Sequence, residues 1–139
     1  MTTFINIKKA LDNALMSNDF GGLTAVLENI DYDTTTDQPF LSAFLLPGQP
    51  EQIGLGDNGT DRHTGIYQID INYKTHRGVM NHMVIADEIN TVFKSGADLV
   101  WDGVCVRIES TGITPIRTGN GWAVMSVSID WYSTTQRVL

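Results

Sequence analysis

The stretch that decides the fold runs from Gly65 to Lys94, GIYQIDINYKTHRGVMNHMVIADEINTVFK. Its first part, Tyr67 to Tyr73, alternates strictly, with apolar residues at odd positions and polar residues at even positions. A period of two is typical of a strand that has one face in a core and the other in water. From Val79 the period becomes helical, and Lys94 and Gly96 favour a helix end. The stretch therefore predicts a strand, a short basic turn and an amphipathic helix, with no pattern of reactive residues.

Two amphipathic helices are predicted in the chain. The first spans about Thr3 to Asn18 and is broken by Phe20-Gly21-Gly22. Its inward face is formed by apolar residues at helical spacing: Phe4, Ile7, Leu11, Ala14 and Leu15. The inward face of the second helix is predicted in the same way from Val79, Met83, Ala86, Ile89, Val92 and Phe93.

Several further segments have the pattern of strands. Residues 104–109 and 125–131 alternate, and Asn120-Gly121 between them is a strong hairpin-turn signal. A short strand is predicted over Val26 to Tyr32. Residues 40–46 are apolar on both faces apart from Ser42, which predicts a strand covered from both sides. Residues 47–63, rich in Gly and Pro, predict a long irregular loop, and such loops tend to be functional or disordered.

The order of these elements predicts the fold class. Helix, strands, helix and strands follow one another within 139 residues, a length that fits one domain. We expect a single α+β domain over residues 1–139, with a mostly antiparallel sheet and two main helices packed on one face.

Composition narrows the classes of function. The net charge is −7, and the basic residues are dispersed, which argues against a dedicated nucleic-acid binder. No apolar run reaches the roughly 20 residues of a membrane span, and the N-terminus lacks the pattern of a secretory signal. The single Cys105 cannot form an intrachain disulfide, which is compatible with a reducing cytosol.

Motifs for reaction chemistry are weak. His63, His76 and His82 do not have the spacing of metal ligands. No nucleophile or phosphate-binding motif is complete, so the sequence predicts no catalytic residues, no cofactor and no metal. Three tryptophans could stack on a ligand, but Trp131 lies on an alternating face and is expected in the core or an interface.

Several segments together resemble a known family. They are Phe40 to Pro47, Arg62 to Ile71, Ala86 to Ile89, Phe93 to Gly96 and Gly121 to Ile129. In this succession the chain is similar to the small tail-terminator (tail-completion) proteins of phages with long, non-contractile tails. The most specific part is Arg62 followed by Gly65-Ile66-Tyr67 at the entry to the alternating strand.

The resemblance implies a structural virion protein rather than an enzyme. It implies an α+β subunit that assembles into a homo-oligomeric ring, with six subunits expected. The ring would cap the tail tube, stop its polymerisation and meet the head-completion or connector proteins at the head-proximal end of the tail. It would assemble in the host cytoplasm, without a membrane, and genomic DNA would pass its lumen without specific binding. A net acidic chain suits such a lumen.

Five residues are candidates for the interface with a neighbouring subunit or with the tail tube. Asp57, Asp61, Arg62 and His63 are predicted on the long polar loop, and Arg77 lies in the basic turn before the second helix. The motivation is that this loop and this turn flank the same strand.

Two alternatives remain open at this point. One is a head–tail connector or tail-tube-like subunit, which stacks rather than terminates. Tube subunits usually carry a long hairpin arm, and the composition of 47–63 disfavours a regular hairpin. The other is a small ligand-binding or hydrolytic module, which requires His63, Cys105 and an acidic residue to converge.

Overall fold

The described part of the chain forms a mixed sheet with two helices. The computed structural model describes residues 3–28, 38–48, 51–52, 60–75 and 80–136. The helices are α1 (Thr3–Met16) and α2 (Met80–Val92). The strands are β1 (Thr24–Val26), β2 (Phe40–Pro47), β3 (Glu51–Gln52), β4 (Thr60–Lys74), β5 (Asp98–Trp101), β6 (Val104–Ile113), β7 (Arg117–Gly119) and β8 (Trp122–Gln136).

The sheet has the strand order β1-β2-β4-β8-β6-β5, while β3 pairs with β4 and β7 with β8. All of these pairings are antiparallel except that of β1 with β2. The helix α1 packs against β5 and β6, and α2 packs against β4 and β8. The prediction of an α+β fold with a mostly antiparallel sheet is confirmed.

The core lies between the helices and one face of the sheet. Tyr67, Ile69 and Ile71 of β4 are fully buried there, as their odd positions predict. Trp131 of β8 is also buried, as expected. Burying one such large side chain stabilises the fold by about 2 kcal/mol, so this face accounts for much of the stability of the domain.

Two hairpins are closed by two-residue turns. Asn120 and Gly121 join β7 to β8 with φ angles of 53° and 82°. Asp102 and Gly103 join β5 to β6 with φ angles of 47° and 81°. Two positive φ angles in succession are typical of the hairpin turn whose twist matches that of the strands. The first turn confirms the sequence prediction, and the second was missed.

Two strand predictions and one loop prediction are wrong in extent or in burial. The strand predicted over 26–32 begins at Thr24 and has ended after Val26. On β2, Leu41 and Ala43 are buried, but Phe44 and Leu46 are exposed, because only one face of this strand is covered.

The third correction concerns the predicted loop over 47–63. Its described residues include β3 and the first part of β4. The strand β4 begins as early as Thr60 because β8 pairs with it as far as Gln136. That long ladder satisfies the backbone hydrogen bonds of a segment whose composition favours a loop. Glu51 and Gln52 also pair with Arg62 and Asp61, so this segment does contain hairpin pairing.

The inward face of α2 is rotated from the predicted one. Met83 is 42% exposed, whereas His82 and Ile85 are buried. His82 lies next to the Tyr73 ring and its Nε2 donates a hydrogen bond of 2.9 Å to the Ala123 carbonyl, so a polar side chain takes an inward position. Neither helix of the described part has the length and apolarity needed to cross a bilayer.

Candidate assembly surface

The sheet face turned away from both helices, here called the outer face, carries exposed apolar side chains. Phe44 and Leu46 of β2 and Ile66 of β4 lie on it, because they alternate with core residues. Leu46 is directly opposite Ile66 in the register, and their side chains are 49% and 37% exposed. Contiguous exposed apolar groups indicate a surface that binds another protein.

The neighbouring part of the outer face is polar and closely hydrogen-bonded. Ser126 Oγ of β8 donates to the Asp70 carboxylate of β4 at 2.6 Å, and Gln68 Nε2 donates to the same carboxylate at 2.9 Å. The Arg117 guanidinium donates to Ser126 Oγ at 2.9 Å. Ser126 is buried although it lies on the outer face. This network satisfies its own polar groups and holds β4 and β8 together from the outside.

Arg62 lies on β4, on the outer face, and not in a loop as predicted. Its guanidinium carbon is 4.2 Å from the centre of the Tyr132 ring, and its Nη2 is 2.5 Å from a carboxylate oxygen of Glu109. Glu109 lies at a β-bulge between Ile108 and Ser110. Its side chain shares the outer face with Arg107, two residues earlier on β6, and reaches Arg62 across the width of β8.

Asp61 and His63 also lie on β4, but on the face opposite to that of Arg62. The His63 ring stands edge-on to the Phe4 ring of α1, with centroids 5.4 Å apart. His63 is half-buried. The prediction that these residues belong to an irregular loop is wrong, because the ladder with β8 places all three on a strand.

Asp57 and Arg77, the other two candidates, lie outside the described residues. The structure therefore brings Asp61, Arg62 and His63 to the same end of β4, and divides them between the two faces of the sheet.

The tip of the β5–β6 hairpin is a second surface with exposed apolar groups. Val100 and Trp101, which precede the turn, are 63% and 37% exposed. Behind them, the Arg107 guanidinium donates to both carboxylate oxygens of Asp98 at 2.7 and 2.9 Å. These bonds to Arg107 hold the pKa of Asp98 below its usual value. The paired carboxylate and guanidinium fix the two strands in register.

Cys105 lies beside this pair, and its thiol does not meet His63. Burial, followed by the charge of Asp98, raises the pKa of the Cys105 thiol. Cys105 shares the outer face with Arg107, whereas His63 faces the helices together with Ser133, its partner on β8. The two side chains are on opposite faces of the sheet, so the converging site that a hydrolytic module required is absent from these residues.

A third surface is the groove between α2 and the C-terminal end of β6, here called the α2 groove. It has two adjoining parts of about 360 and 400 Å³. Met83 and Ile113 line both parts, and Ile113 is 56% exposed. Asn90 and Asp87 form a polar rim on the α2 side of the first part.

Sequence reasoning missed the residues that surround Arg62 and those of the hairpin tip. Tyr132 directly follows the alternating residues 125–131, so its place on a strand could have been predicted from that pattern. The pairing of Glu109 with Arg62 was not, because it depends on the register between distant strands. Val100 and Trp101 precede Asp102-Gly103, a turn signal as strong in principle as Asn120-Gly121.

The sequence and the fold of the chain are similar to those of known proteins. The family model described as phage tail terminator protein matches residues 6–131. A search of curated protein sequences gives no match. Among solved structures, 21 chains match. One of them has a TM-score of 0.69 at 15% sequence identity over 94% of this chain and 92% of that chain, which shows a shared fold. Because the family model spans most of the chain, the chain belongs to the phage tail terminator protein family.

Proposed function

We propose that the protein assembles into a closed ring on the head-proximal end of a phage tail tube. The ring stops tube polymerisation and provides the surface that the head-completion proteins bind. Family membership supports a structural role in tail assembly within the virion. The observation that carries the proposal is the outer face, where Phe44, Leu46 and Ile66 are exposed among the residues that the structure describes.

The proposed ring accommodates the passage of DNA through its lumen without specific binding. The chain has a net charge of −7, so it repels a polyanion overall. Two cations of the outer face, Arg62 and Arg107, are each paired with a carboxylate of the same subunit. Paired cations attract phosphate less than unpaired ones do, which supports a lumen that does not retain DNA.

Asp57, Asp61, Arg62, His63 and Arg77 are proposed to lie at the contact with the next subunit or with the tail tube. Arg62 is the best candidate for an experiment, because its contacts within the chain are known and their loss can be distinguished from the loss of a contact with a neighbour. Its ion pair with Glu109 is exposed, and such pairs contribute about 0–1 kcal/mol to folding.

Arg62→Gln and Glu109→Gln form a matched pair of variants, since each breaks the same ion pair. We expect both to fold with nearly the parent melting temperature. If Arg62 contacts a neighbour, only Arg62→Gln should weaken assembly in analytical ultracentrifugation. Equal assembly of the two variants would remove Arg62 from the interface.

The experiment that tests the proposed function adds the purified protein to polymerising tail-tube protein. We expect tubes to stop growing, with a single ring at one end in electron micrographs. Tubes that keep growing at the parent rate, with no density at either end, would contradict the proposal.

A tube-like or connector subunit that stacks is the second candidate, and one observation favours it. The argument against a hairpin in residues 47–63 is weakened, because β3 pairs with β4. The same micrographs distinguish the two candidates: a stacking subunit gives extended stacks of rings, whereas a terminator gives single closed rings.

A further inference from the structure

The edge of β2 that lies away from β4, here called the β1-side edge, is only partly covered by a strand. The pairing of β1 with β2 ends at Ser42, whereas β2 continues to Pro47. Among the described strands, β1 alone pairs with this edge. The uncovered part of a strand edge presents backbone N–H and C=O groups that can pair with a strand of another molecule.

The hydrogen bonds of two backbone amides show which positions of β2 face the β1-side edge. The Gly48 amide, directly after β2, donates to the Thr64 carbonyl of β4 at 2.7 Å. The Leu45 amide points the other way, towards the segment that follows β1. Because backbone amides alternate in direction along a strand, odd positions of β2 face the β1-side edge and even positions face β4. Leu45 and Pro47 are therefore the last two positions of β2 that face this edge.

The carboxylate of Glu28 occupies the first of these two positions. The Leu45 amide donates to Oε1 of Glu28 at 2.5 Å. Glu28 follows the end of β1 by two residues, so its side chain takes the place of the backbone carbonyl that a longer β1 would supply. Lys8 Nζ of α1 is 3.9 Å from the same oxygen. A hydrogen bond from an amide to a carboxylate is stronger than one to a neutral acceptor.

Pro47 removes the donor at the second position, because proline has no backbone N–H. The strand that these two positions terminate has a composition prone to intermolecular pairing. Residues Phe40 to Leu46, FLSAFLL, include no charged residue, no glycine and no proline. Short uncharged segments of high β propensity form intermolecular sheets when their edge is open. Proline and charged side chains at an edge are the usual means of preventing this.

We propose that Glu28 and Pro47 block the β1-side edge of β2 against pairing with β2 of a second copy. Two copies of this edge would pair antiparallel about a two-fold axis, which brings identical strands together. Such a pairing would occupy the strand that carries Phe44 and Leu46 on the outer face. This role is independent of the proposed ring, because it prevents an incorrect contact rather than forming a correct one.

Hydrogen exchange of single amides, measured by NMR, tests the part of Glu28. Glu28→Ala removes the acceptor, whereas the matched variant Glu28→Gln loses the charge and keeps an oxygen that can accept from the Leu45 amide. We expect exchange at Leu45 to be about tenfold faster or more in Glu28→Ala, and to change by less than about threefold in Glu28→Gln. The Gly48 amide, bonded on the β4 side, should be unaffected by either change. Unchanged exchange at Leu45, or an equal increase at Gly48, would overturn the role of Glu28.

Self-association of the double variant Glu28→Ala/Pro47→Ala tests the block as a whole. Pro47 is exposed, so Pro47→Ala should fold and carries the test alone if Glu28→Ala does not. We expect intermolecular β structure, detected by light scattering and infrared spectroscopy, at about one tenth of the concentration that the parent requires. Glu28→Gln should behave as the parent does. A double variant, or Pro47→Ala in its place, that is as soluble as the parent would overturn the inference.

The outcome for the proposed function is read separately. Capping of tail tubes by the parent chain tests the ring, and a failure there leaves the solubility difference between parent and double variant as the test of the blocked edge. Tube capping by the parent together with an equally soluble double variant would support the ring and overturn the block.

Discussion

Gly65 is a residue whose backbone packs closely against two neighbouring strands. A Cβ atom added there would lie 2.6 Å from the Leu46 carbonyl oxygen and 2.7 Å from Cζ2 of the Trp131 ring. Neither the backbone of β2 nor a buried indole can move away without loss of packing. The part of the sequence that most resembles the family, at the entry to β4, thus contains a glycine for a steric reason.

We predict that Gly65→Ala destabilises the protein by about 2 kcal/mol or more, as overpacked cores do. Gly112→Ala is the control, because a Cβ at this strand position meets no atom within 4 Å. It should be neutral or slightly stabilising. Urea denaturation of both variants checks this, and equal free energies of unfolding would contradict the packing argument.

Tyr67 links α1 to the sheet through a buried hydrogen bond. Its hydroxyl donates to the Asp12 carboxylate at 2.5 Å, and its side chain is fully buried. Burial, and then the bond and charge of Asp12, raise the pKa of Tyr67 far above 10.0. The folded state therefore keeps this phenol neutral at a pH where the unfolded chain ionises it.

Tyr67→Phe should cost about 2 kcal/mol at neutral pH, the value of a hydrogen bond to a charged group. Since the folded pKa is raised, the stability linked to the phenol is present below the ordinary pKa near 10 and is lost as pH rises above it. The difference between parent and Tyr67→Phe should thus shrink by up to about 1.4 kcal/mol per pH unit above 10. A constant difference between pH 8 and pH 11 would contradict this account.

At the scale of elements, the turn between β7 and β8 depends on one glycine. Gly121 has a φ of 82°, which side chains other than glycine rarely adopt. Gly119, two residues earlier on β7, has no such requirement, and a Cβ there meets no atom within 4 Å.

We predict that Gly121→Ala lowers the free energy of unfolding by about 1 kcal/mol and that Gly119→Ala leaves it nearly unchanged. Thermal unfolding followed by circular dichroism measures both. If Gly119→Ala proved the more damaging of the two, the turn would not be of the type described.

The elements that the sequence predicts well are those buried on one face. The alternation of β4, β6 and β8 follows from their single covered face, so the pattern and the burial agree. The bounds of α1 and α2 were predicted within a few residues for the same reason. His82 shows that a polar side chain can lie inward on a helix when a backbone carbonyl accepts a hydrogen bond from it.

The failures have a common physical cause, which is contact between distant segments. β2 is apolar on both faces, and its exposed face has the same apolar composition as its buried one. The extension of β4 to Thr60 depends on β8, more than 60 positions away in sequence. For the candidate site, Arg62 was identified, but its partner Glu109 lies on β6, and the contact depends on the order β4-β8-β6, which composition does not reveal.

At the scale of the whole molecule, α1 and α2 lie on one side of the sheet, and no helix of the described residues lies on the other side. Apolar groups remain exposed on the outer face, in the α2 groove and at the β5–β6 tip. Exposed apolar groups of this kind are suited to binding other proteins, and membership of the tail terminator family gives the chain a structural role in phage tail assembly.

The most direct test of the proposed ring is the mass of the purified protein by native mass spectrometry over a range of concentrations, with and without tail tubes. We predict one discrete closed oligomer, expected at six times the chain mass, alone or on addition of tubes. A monomer that remains a monomer even with tail tubes present would contradict the account.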